Sequence, residues 1–284
     1  MPFLFGLLWN GQLKKEYSHC SGASFVEHLR VFCENVLASM EAVLAAEEVS
    51  KNRFGAHARA FLGVWSRLLE SQVAFLTPYF ARFVHVLLQL HVAANGSVKV
   101  TPLLTQVSTL VNVNRLLTLM SSLPALSSPA AYELYHTEMV RVVIARMSRQ
   151  EVNDHRKQLT ELLLRDMQKT EAPLPIFENM MAVIASLNDV TFRSIFEMMV
   201  RTVAEAKEDK VVLSLLRFIV HLVQQMKGLV VGYVIQALPT LLAPSASSDV
   251  SQLHCDLVTL VLAFANEGTF LFPSTLLVSK RGSK

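Results

Sequence analysis

The chain has 284 residues, enough for one extended domain or two compact ones, and its formal net charge is +3. Hydrophobic residues make up 52% of it and charged residues only 17%, against about 25% in a typical soluble domain. This composition predicts a large core and an apolar surface that a partner covers. The mild excess of positive charge permits a polyanionic partner without requiring one. Three cysteines, Cys20, Cys33 and Cys255, are too few and too scattered for a secreted disulfide scaffold, so we expect an intracellular, reducing compartment.

The first fifteen residues contain two lysines and no acidic residue, a composition that favours import into an organelle. We therefore expect a mitochondrial protein, with the cytoplasm or the nucleus as alternatives. Residues 228–248 contain no charged residue, but Pro239 and Pro244 interrupt them. The apolar run from Leu229 to Ala243 is shorter than the roughly 20 residues that a spanning helix needs, so it predicts a buried helix and no membrane span.

Apolar residues recur with the helical period from residue 24 to residue 266, and no segment has the alternation of a convincing strand. The clearest apolar stripe runs from Phe192 to Val203, and similar stripes run from Phe25 to Val43 and from Val250 to Phe264. Eleven helices are predicted, over residues 24–48, 53–76, 79–93, 102–122, 129–147, 149–169, 174–187, 190–206, 209–227, 229–242 and 249–266.

Signals for helix ends agree with these ranges. Capping boxes, in which a hydroxyl precedes a carboxylate by three residues, are predicted at Ser24 with Glu27 and at Ser148 with Glu151. Three further starts place a cap residue before a proline: Thr77-Pro78, Thr101-Pro102 and Ser128-Pro129. Glycines that end helices are predicted at Gly96 and Gly228.

The predicted helices form pairs every 35 to 45 residues, the period of helix-pair solenoids, although no repeated sequence signature accompanies it. With this period, and with the stretch FLTPYFARFV from Phe75 to Val84, residues 50–266 resemble HEAT or armadillo repeats or the looser helical repeats of organellar RNA-processing proteins. The stretch itself is similar to the second helix of a HEAT repeat. We therefore predict an all-α fold in which stacked antiparallel helix pairs form an α-solenoid; an irregular helical bundle is the alternative.

This organisation divides the chain into an N-terminal docking segment (1–23), a helical-repeat domain (24–266) and a C-terminal tail (267–284). Both end segments begin with apolar side chains that we expect to dock on a neighbour. The docking candidates are Phe3, Phe5, Trp9, Phe270 and Phe272.

No pattern of catalytic, metal-binding or phosphate-cradling residues is recognisable in the sequence, so we predict no enzyme activity, no cofactor and no metal. The run His254-Cys255-Asp256 has the residue types of a nucleophilic triad. Consecutive helical residues point about 100° apart, however, so these three cannot act on one another. We expect Cys33 and Cys255 to be buried core thiols instead.

The strongest functional signal is a basic stretch over residues 141–169, with seven positive and four negative side chains. Arg149 and Arg156 are seven residues apart and would share one face of the helix predicted there. Such a face can contact RNA phosphates. The alternative is a solvated face with internal ion pairs such as Glu161 with Arg165. The candidate contacts are Arg141, Arg146, Arg149, Arg156, Lys157, Arg165 and Lys169.

Together these features favour a non-catalytic scaffold in a large assembly, in contact with other protein subunits and with RNA through its phosphates. The resemblance to organellar repeats implies a ribonucleoprotein, either a mitochondrial ribosome or an RNA-processing complex. The alternative is a HEAT-like adaptor that binds proteins in transport or trafficking, without nucleic acid. An enzyme is the third hypothesis, and it would need an all-helical active site without a recognisable motif.

Overall fold

The computed structural model describes residues 22–46, 51–126, 128–169 and 174–266, and within these ranges the chain is helical with no strand. The predicted all-α class is therefore confirmed. The α-helices are α1 (Gly22–Ala45), α2 (Lys51–Leu76), α3 (Phe80–Ala93), α4 (Thr101–Leu110), α5 (Val113–Ser122), α6 (Pro129–Tyr135), α7 (Arg141–Arg146), α8 (Arg149–Asp154), α9 (Arg156–Met167), α10 (Leu174–Ala185), α11 (Asp189–Glu205), α12 (Asp209–Met226), α13 (Gly228–Leu241) and α14 (Ser248–Asn266). A 3₁₀ turn, Thr77–Tyr79, joins α2 to α3, and a π-helical turn, His136–Val140, joins α6 to α7.

Contacts divide the chain into two compact units, Met1–Leu103 and Leu104–Lys284. In the first unit α1 packs against α2 and α3. Its core contains Trp65 of α2, whose ring stacks on Phe83 of α3 with centroids 4.1 Å apart and planes 17° apart. Phe61 completes this aromatic cluster, with its ring centroid 5.9 Å from that of Phe83. Such pairs stabilise beyond the apolar area that they bury.

An arginine clamp connects α3 to α1 within the first unit. Arg82 donates from Nε to Glu41 Oε1 (2.6 Å) and from Nη2 to Glu41 Oε2 (2.5 Å), the two-bond geometry that suits a carboxylate. Its Nη1 donates to Glu34 Oε2 at 2.5 Å. Glu34 and Glu41 are seven residues apart, which places both on one face of α1. The bonds from Arg82 hold the pKa of Glu41 below its ordinary value.

In the second unit the last six helices pack in two alternating rows. One row is α9, α11 and α13, and the other is α10, α12 and α14, with further contacts between successive helices such as α11 with α12 and α13 with α14. This is the contact order that stacked helix pairs have. A solenoid goes further, to a continuous superhelix, and stays a prediction, as does the division into segments 1–23, 24–266 and 267–284.

The predicted apolar stripes form much of the core. In α11, Phe192, Ile195, Phe196, Met199 and Val203 are buried. In α14, Val250, Leu257 and Val261 are buried.

The two cysteines that we expected in the core differ in their burial. Cys33 is buried as predicted, and burial raises the pKa of its thiol to about 12. Cys255 is exposed, so that prediction was wrong. It lies two residues before Leu257 on α14, or about 200° around the helix, which places it opposite the buried face.

Several predicted helix ends are confirmed and others need correction. The Ser148–Glu151 capping box is present, Ser128 precedes α6 with Pro129 at its first turn, and Gly96 adopts a φ of 72° beyond α3. By contrast α1 begins at Gly22, two residues before the predicted cap Ser24, and α4 begins at Thr101 itself.

The break between α4 and α5 was not predicted. The single helix expected over 102–122 stops at Leu110, because the Asn112 side chain accepts a hydrogen bond from the backbone of Asn114 (2.9 Å) and so caps α5. The break inside the stretch 75–84, by contrast, agrees with the predicted helices 53–76 and 79–93, although the stretch resembles a single HEAT-type helix. The 3₁₀ turn Thr77–Tyr79 occupies that break. Pro78 lies in that turn, where its missing N–H leaves no helical hydrogen bond unmade.

The turn between α12 and α13 contains a strained lysine. Gly228, predicted to end a helix, is instead the first residue of α13, and the positive backbone angle falls one residue earlier. Lys227 has a φ of 47° and a ψ of −128°, a conformation that residues other than glycine adopt only at a cost of about 1–3 kcal/mol.

We expect Lys227→Gly to raise the free energy of unfolding by about 1 kcal/mol, the relief of strain less the greater chain entropy of glycine. The shift of the urea unfolding midpoint measures it. Lys207→Gly is the matched control, because Lys207 is an exposed loop lysine without a positive φ, and we expect that change to lower the midpoint slightly. Equal losses in both variants would contradict the presence of strain at Lys227.

Candidate nucleic-acid interface

The seven basic candidates are distributed over three short helices. Arg141 and Arg146 lie on α7, Arg149 on α8, and the other four on α9 or just after it. One continuous helix over 149–169 was predicted, but the chain breaks at His155 (φ −96°, ψ 7°). Three consecutive weak helix formers, 153–155, occupy the break. Arg149 and Arg156 therefore lie on different helices and do not share one helical face, contrary to the prediction.

Three of the candidate arginines cap the C-terminal ends of helices. Arg146 Nη1 donates to the carbonyls of Ser108 and Val111 at the end of α4, the latter at 3.1 Å. Arg149 Nη2 donates to the Ala185 carbonyl, the last of α10, at 3.3 Å. The last carbonyls of a helix lack partners within it and carry partial negative charge.

Arg156 makes the same kind of contact at the end of α8, and Gln158 contacts a side chain near the end of α5. Arg156 Nη1 donates to the carbonyl of Asn153 at 2.7 Å. Gln158 Nε2 donates to the Ser121 hydroxyl at 3.0 Å, close to the end of α5. Gln158 was not among the predicted contact residues. Part of the basic stretch therefore connects helices within the second unit.

The predicted internal ion pair is replaced by two others. Glu161 pairs with Lys157, Nζ to Oε1 at 3.9 Å, rather than with Arg165. Arg165 Nε donates to Asp166 Oδ1 at 2.8 Å. The Lys157 side chain is 81% exposed, so its pair with Glu161 contributes little to stability and leaves the ammonium accessible.

Arg141, Lys157 and Lys169 are the candidates that remain most accessible. All three are exposed, and within the described part of the chain Arg141 forms no hydrogen bond or ion pair. Exposed cations of this kind can neutralise phosphates, and the only internal side-chain contact described for them is the weak surface pair of Lys157 with Glu161.

Beneath this surface lies a buried polar cluster of His136, Asp166 and Asn179. The first belongs to the π-helical turn, the second to α9 and the third to α10, and they are 0%, 1% and 2% exposed. His136 Nε2 lies 3.2 Å from Asp166 Oδ2, and Asn179 Nδ2 lies 3.4 Å from His136 Nδ1. Asn179 Nδ2 also donates to the backbone carbonyl of His136 at 3.0 Å.

The hydrogen-bond network assigns the histidine tautomer. An amide NH₂ can only donate, so Nδ1 of His136 accepts from Asn179 and Nε2 carries the hydrogen that is donated to Asp166. Asp166 thus receives two bonds, one from His136 and one from Arg165. This cluster fixes α9 and α10 against the π-helical turn.

Other predictions about sites are only partly covered by the structure. The docking candidates Phe3, Phe5, Trp9, Phe270 and Phe272 lie outside the described residues. Within the four described ranges, His, Cys, Asp and Glu side chains form no group of three that could hold a metal ion. None of the described helices combines the length and the apolarity needed to cross a bilayer.

Comparison with known proteins gives one family. Residues 135–264, a little under half of the chain, match the BP28CT (NUC211) domain, a helical domain found in nucleolar ribosome-biogenesis proteins. Proteins with this domain are typically nucleolar or nuclear. No curated protein and no solved structure matches the chain. The matched residues begin at Tyr135, next to the π-helical turn, and include the whole basic stretch.

Proposed function

We propose that the chain is a non-catalytic helical subunit of a nucleolar ribonucleoprotein that takes part in ribosome biogenesis. The observation that carries this proposal is the match of residues 135–264 to the BP28CT domain. The nuclear alternative for localisation fits this family, whereas the mitochondrial expectation has no support from it.

The buried polar cluster supports a scaffold role. His136 and Asp166 are the residue types of a catalytic dyad, yet both are enclosed and each is committed to partners within the second unit. Satisfied buried polar networks of this kind rigidify a core and specify one packing. Rigid helix rows present side chains on their outer surfaces at fixed spacing, as a scaffold requires.

The accessible cations supply the contact with RNA in this proposal. Arg141, Lys157 and Lys169 are exposed in the part of the chain that matches the family, where phosphates can reach them. Each phosphate neutralised on a single strand adds about 0.7 to the slope of log affinity against log salt. Binding should therefore be sequence-tolerant and salt-dependent.

The cellular test is purification of the tagged full chain from nuclei, followed by sedimentation and identification of the RNA and proteins that co-purify. We expect the chain to sediment with particles that contain precursor ribosomal RNA. Recovery of the chain in free fractions or in mitochondrial particles would overturn the proposal.

A charge-reversal pair tests the RNA contact directly. We expect Arg141→Glu with Lys157→Glu to weaken binding to single-stranded RNA about tenfold at 0.1 M salt and to reduce the salt slope by about 1 to 1.5. Arg201→Glu with Lys207→Glu is the matched control, because it makes the same charge change at exposed positions outside the basic stretch. Equal losses in the two double variants, measured by fluorescence anisotropy, would show that only net charge matters and would count against this surface.

A further inference from the structure

A pocket of about 60 Å³ lies in the second unit, between residues 123–126, α6 and the end of α9. Its apolar wall is the 123–126 segment, and its polar lining is Tyr132, Tyr135, Arg165, Asp166 and Lys169. The pocket therefore has two phenol groups and two basic side chains around one carboxylate. This volume is far below the roughly 300–1,000 Å³ of pockets that enclose a drug-sized ligand, so the pocket has room only for one compact group.

The pocket contains a buried hydroxyl without a partner. Tyr135 is 0% exposed, and its Oη has no hydrogen-bond partner in the described part of the chain. A buried polar group without a partner is costly, and native proteins rarely keep one unless something else satisfies it. Burial, together with the nearby Asp166, raises the pKa of Tyr135 well above its ordinary value, so the phenol keeps its hydrogen and can donate it.

The other polar groups are also arranged as donors. Tyr132 Oη accepts from the backbone N–H of Leu126 at 3.3 Å, which leaves its own hydrogen free to point elsewhere. Asp166 is already engaged by Arg165 Nε (2.8 Å) and His136 Nε2 (3.2 Å). Because Arg165 and Lys169 both carry positive charge, the lining is net positive even with Asp166 ionised.

A group that meets these donors must be a compact anion with several acceptor oxygens. A divalent cation is disfavoured by the two basic side chains. A phosphate accepts from several donors at once and suits arginine and lysine together. Since the Tyr135 hydroxyl is fully enclosed, only a group that projects from its parent molecule can reach it, which favours a terminal phosphate over one within a strand.

We propose that this pocket binds the terminal phosphate of a nucleotide at the end of an RNA strand, with Tyr135, Tyr132, Arg165 and Lys169 as donors. The choice of RNA as the source of the phosphate rests on the proposed function. The pocket would hold the phosphate alone, and the sugar and base that follow it would lie outside.

The test compares short RNA oligonucleotides with a 5′-phosphate and with a 5′-hydroxyl on the full chain. We expect the unmodified protein to bind the phosphorylated end at least about tenfold more tightly, since hydrogen bonds to a charged group are strong. Tyr135→Phe should remove that preference. Thr160→Val is the matched control: it also removes a buried hydroxyl without a partner, but Thr160 does not line the pocket, so the preference should persist.

The thermal unfolding midpoint is a second measurement, and it shows whether the two variants still fold. Both Tyr135→Phe and Thr160→Val remove an unpaired buried hydroxyl, so both should raise the thermal unfolding midpoint. A raised midpoint with the end preference lost only in Tyr135→Phe supports the pocket. A preference that survives Tyr135→Phe overturns it.

Further ligands distinguish a failure of the pocket proposal from a failure of the proposed function. Binding of both RNA ends with equal affinity would overturn the pocket and leave RNA binding intact. Binding of a nucleoside monophosphate without binding of either oligonucleotide would support the pocket and count against the RNA contact. Tighter binding of a phosphoserine peptide than of phosphorylated RNA would overturn the assignment to RNA.

Discussion

Replacement of Asp166 by alanine is expected to lower the free energy of unfolding of the second unit by about 3–5 kcal/mol. Asp166 is 1% exposed and accepts from two groups, His136 Nε2 and Arg165 Nε. Without it a buried imidazole N–H loses its acceptor and a half-buried guanidinium loses its counter-charge. Leaving one partner of a buried network unsatisfied costs more than the network itself contributes.

Urea unfolding monitored by circular dichroism measures the loss, and Asp256→Ala is the control. Asp256 also accepts a side-chain hydrogen bond, from Gln252 at 3.0 Å, but it is exposed on α14. We expect its replacement to change stability by less than about 0.5 kcal/mol. The loss of stability in Asp166→Asn should fall between those of the two alanine variants, because the amide oxygen can still accept a hydrogen bond from His136. A loss in Asp166→Ala no larger than that in Asp256→Ala would show that the cluster carries no structural role.

The sequence predicts the helices of this protein well because their signals are local. The stripe from Phe192 to Val203 can be recognised from the 3.6-residue period alone, and the buried face of α11 matches that stripe. The Ser148–Glu151 capping box likewise involves residues three apart. The break at Asn112 depends on one side chain that accepts a hydrogen bond from the backbone. Because the helical period continues on both sides of it, the period gives no sign of this break.

The buried polar cluster could not be predicted, because its members come from three elements. His136 is 30 residues from Asp166 and 43 from Asn179, and no short pattern connects residues so far apart. One signal was available: Asn179 lies on the buried face of α10, among Ile176, Met180 and Val183. An amide in such a stripe needs a buried partner.

The basic stretch shows a different limit of sequence analysis. Seven positive side chains form one pattern in the sequence, but the fold divides them by what they touch. Arg146 and Arg149 bond to carbonyls of α4 and α10, which are distant along the chain, whereas Arg141 and Lys157 extend into solvent. A count of charges cannot separate helix caps from free cations, because the carbonyls that accept these bonds are brought close only by tertiary packing.

In the first unit, we expect Trp65→Ala to lower the free energy of unfolding by about 3–5 kcal/mol. Trp65 is 0% exposed, and its stack on Phe83 joins α2 to α3. Alanine would leave a cavity that the neighbouring Phe61 fills only in part. Hydrogen exchange measures the effect, as a loss of amide protection in α2 and α3.

Two further variants show whether the loss comes from ring packing. The indole Nε1 of Trp65 is buried without a hydrogen-bond partner among the described residues, so the N–H contributes no bond that phenylalanine would lose. Trp65→Phe should therefore keep much of the stacking and cost well under half of the alanine loss. Val31→Ala, at a 49% exposed position on α1 of the same unit, should change stability by less than about 0.5 kcal/mol. If phenylalanine proved as damaging as alanine, the indole N–H would have to make a contact that stabilises the first unit, and packing alone would not explain its core.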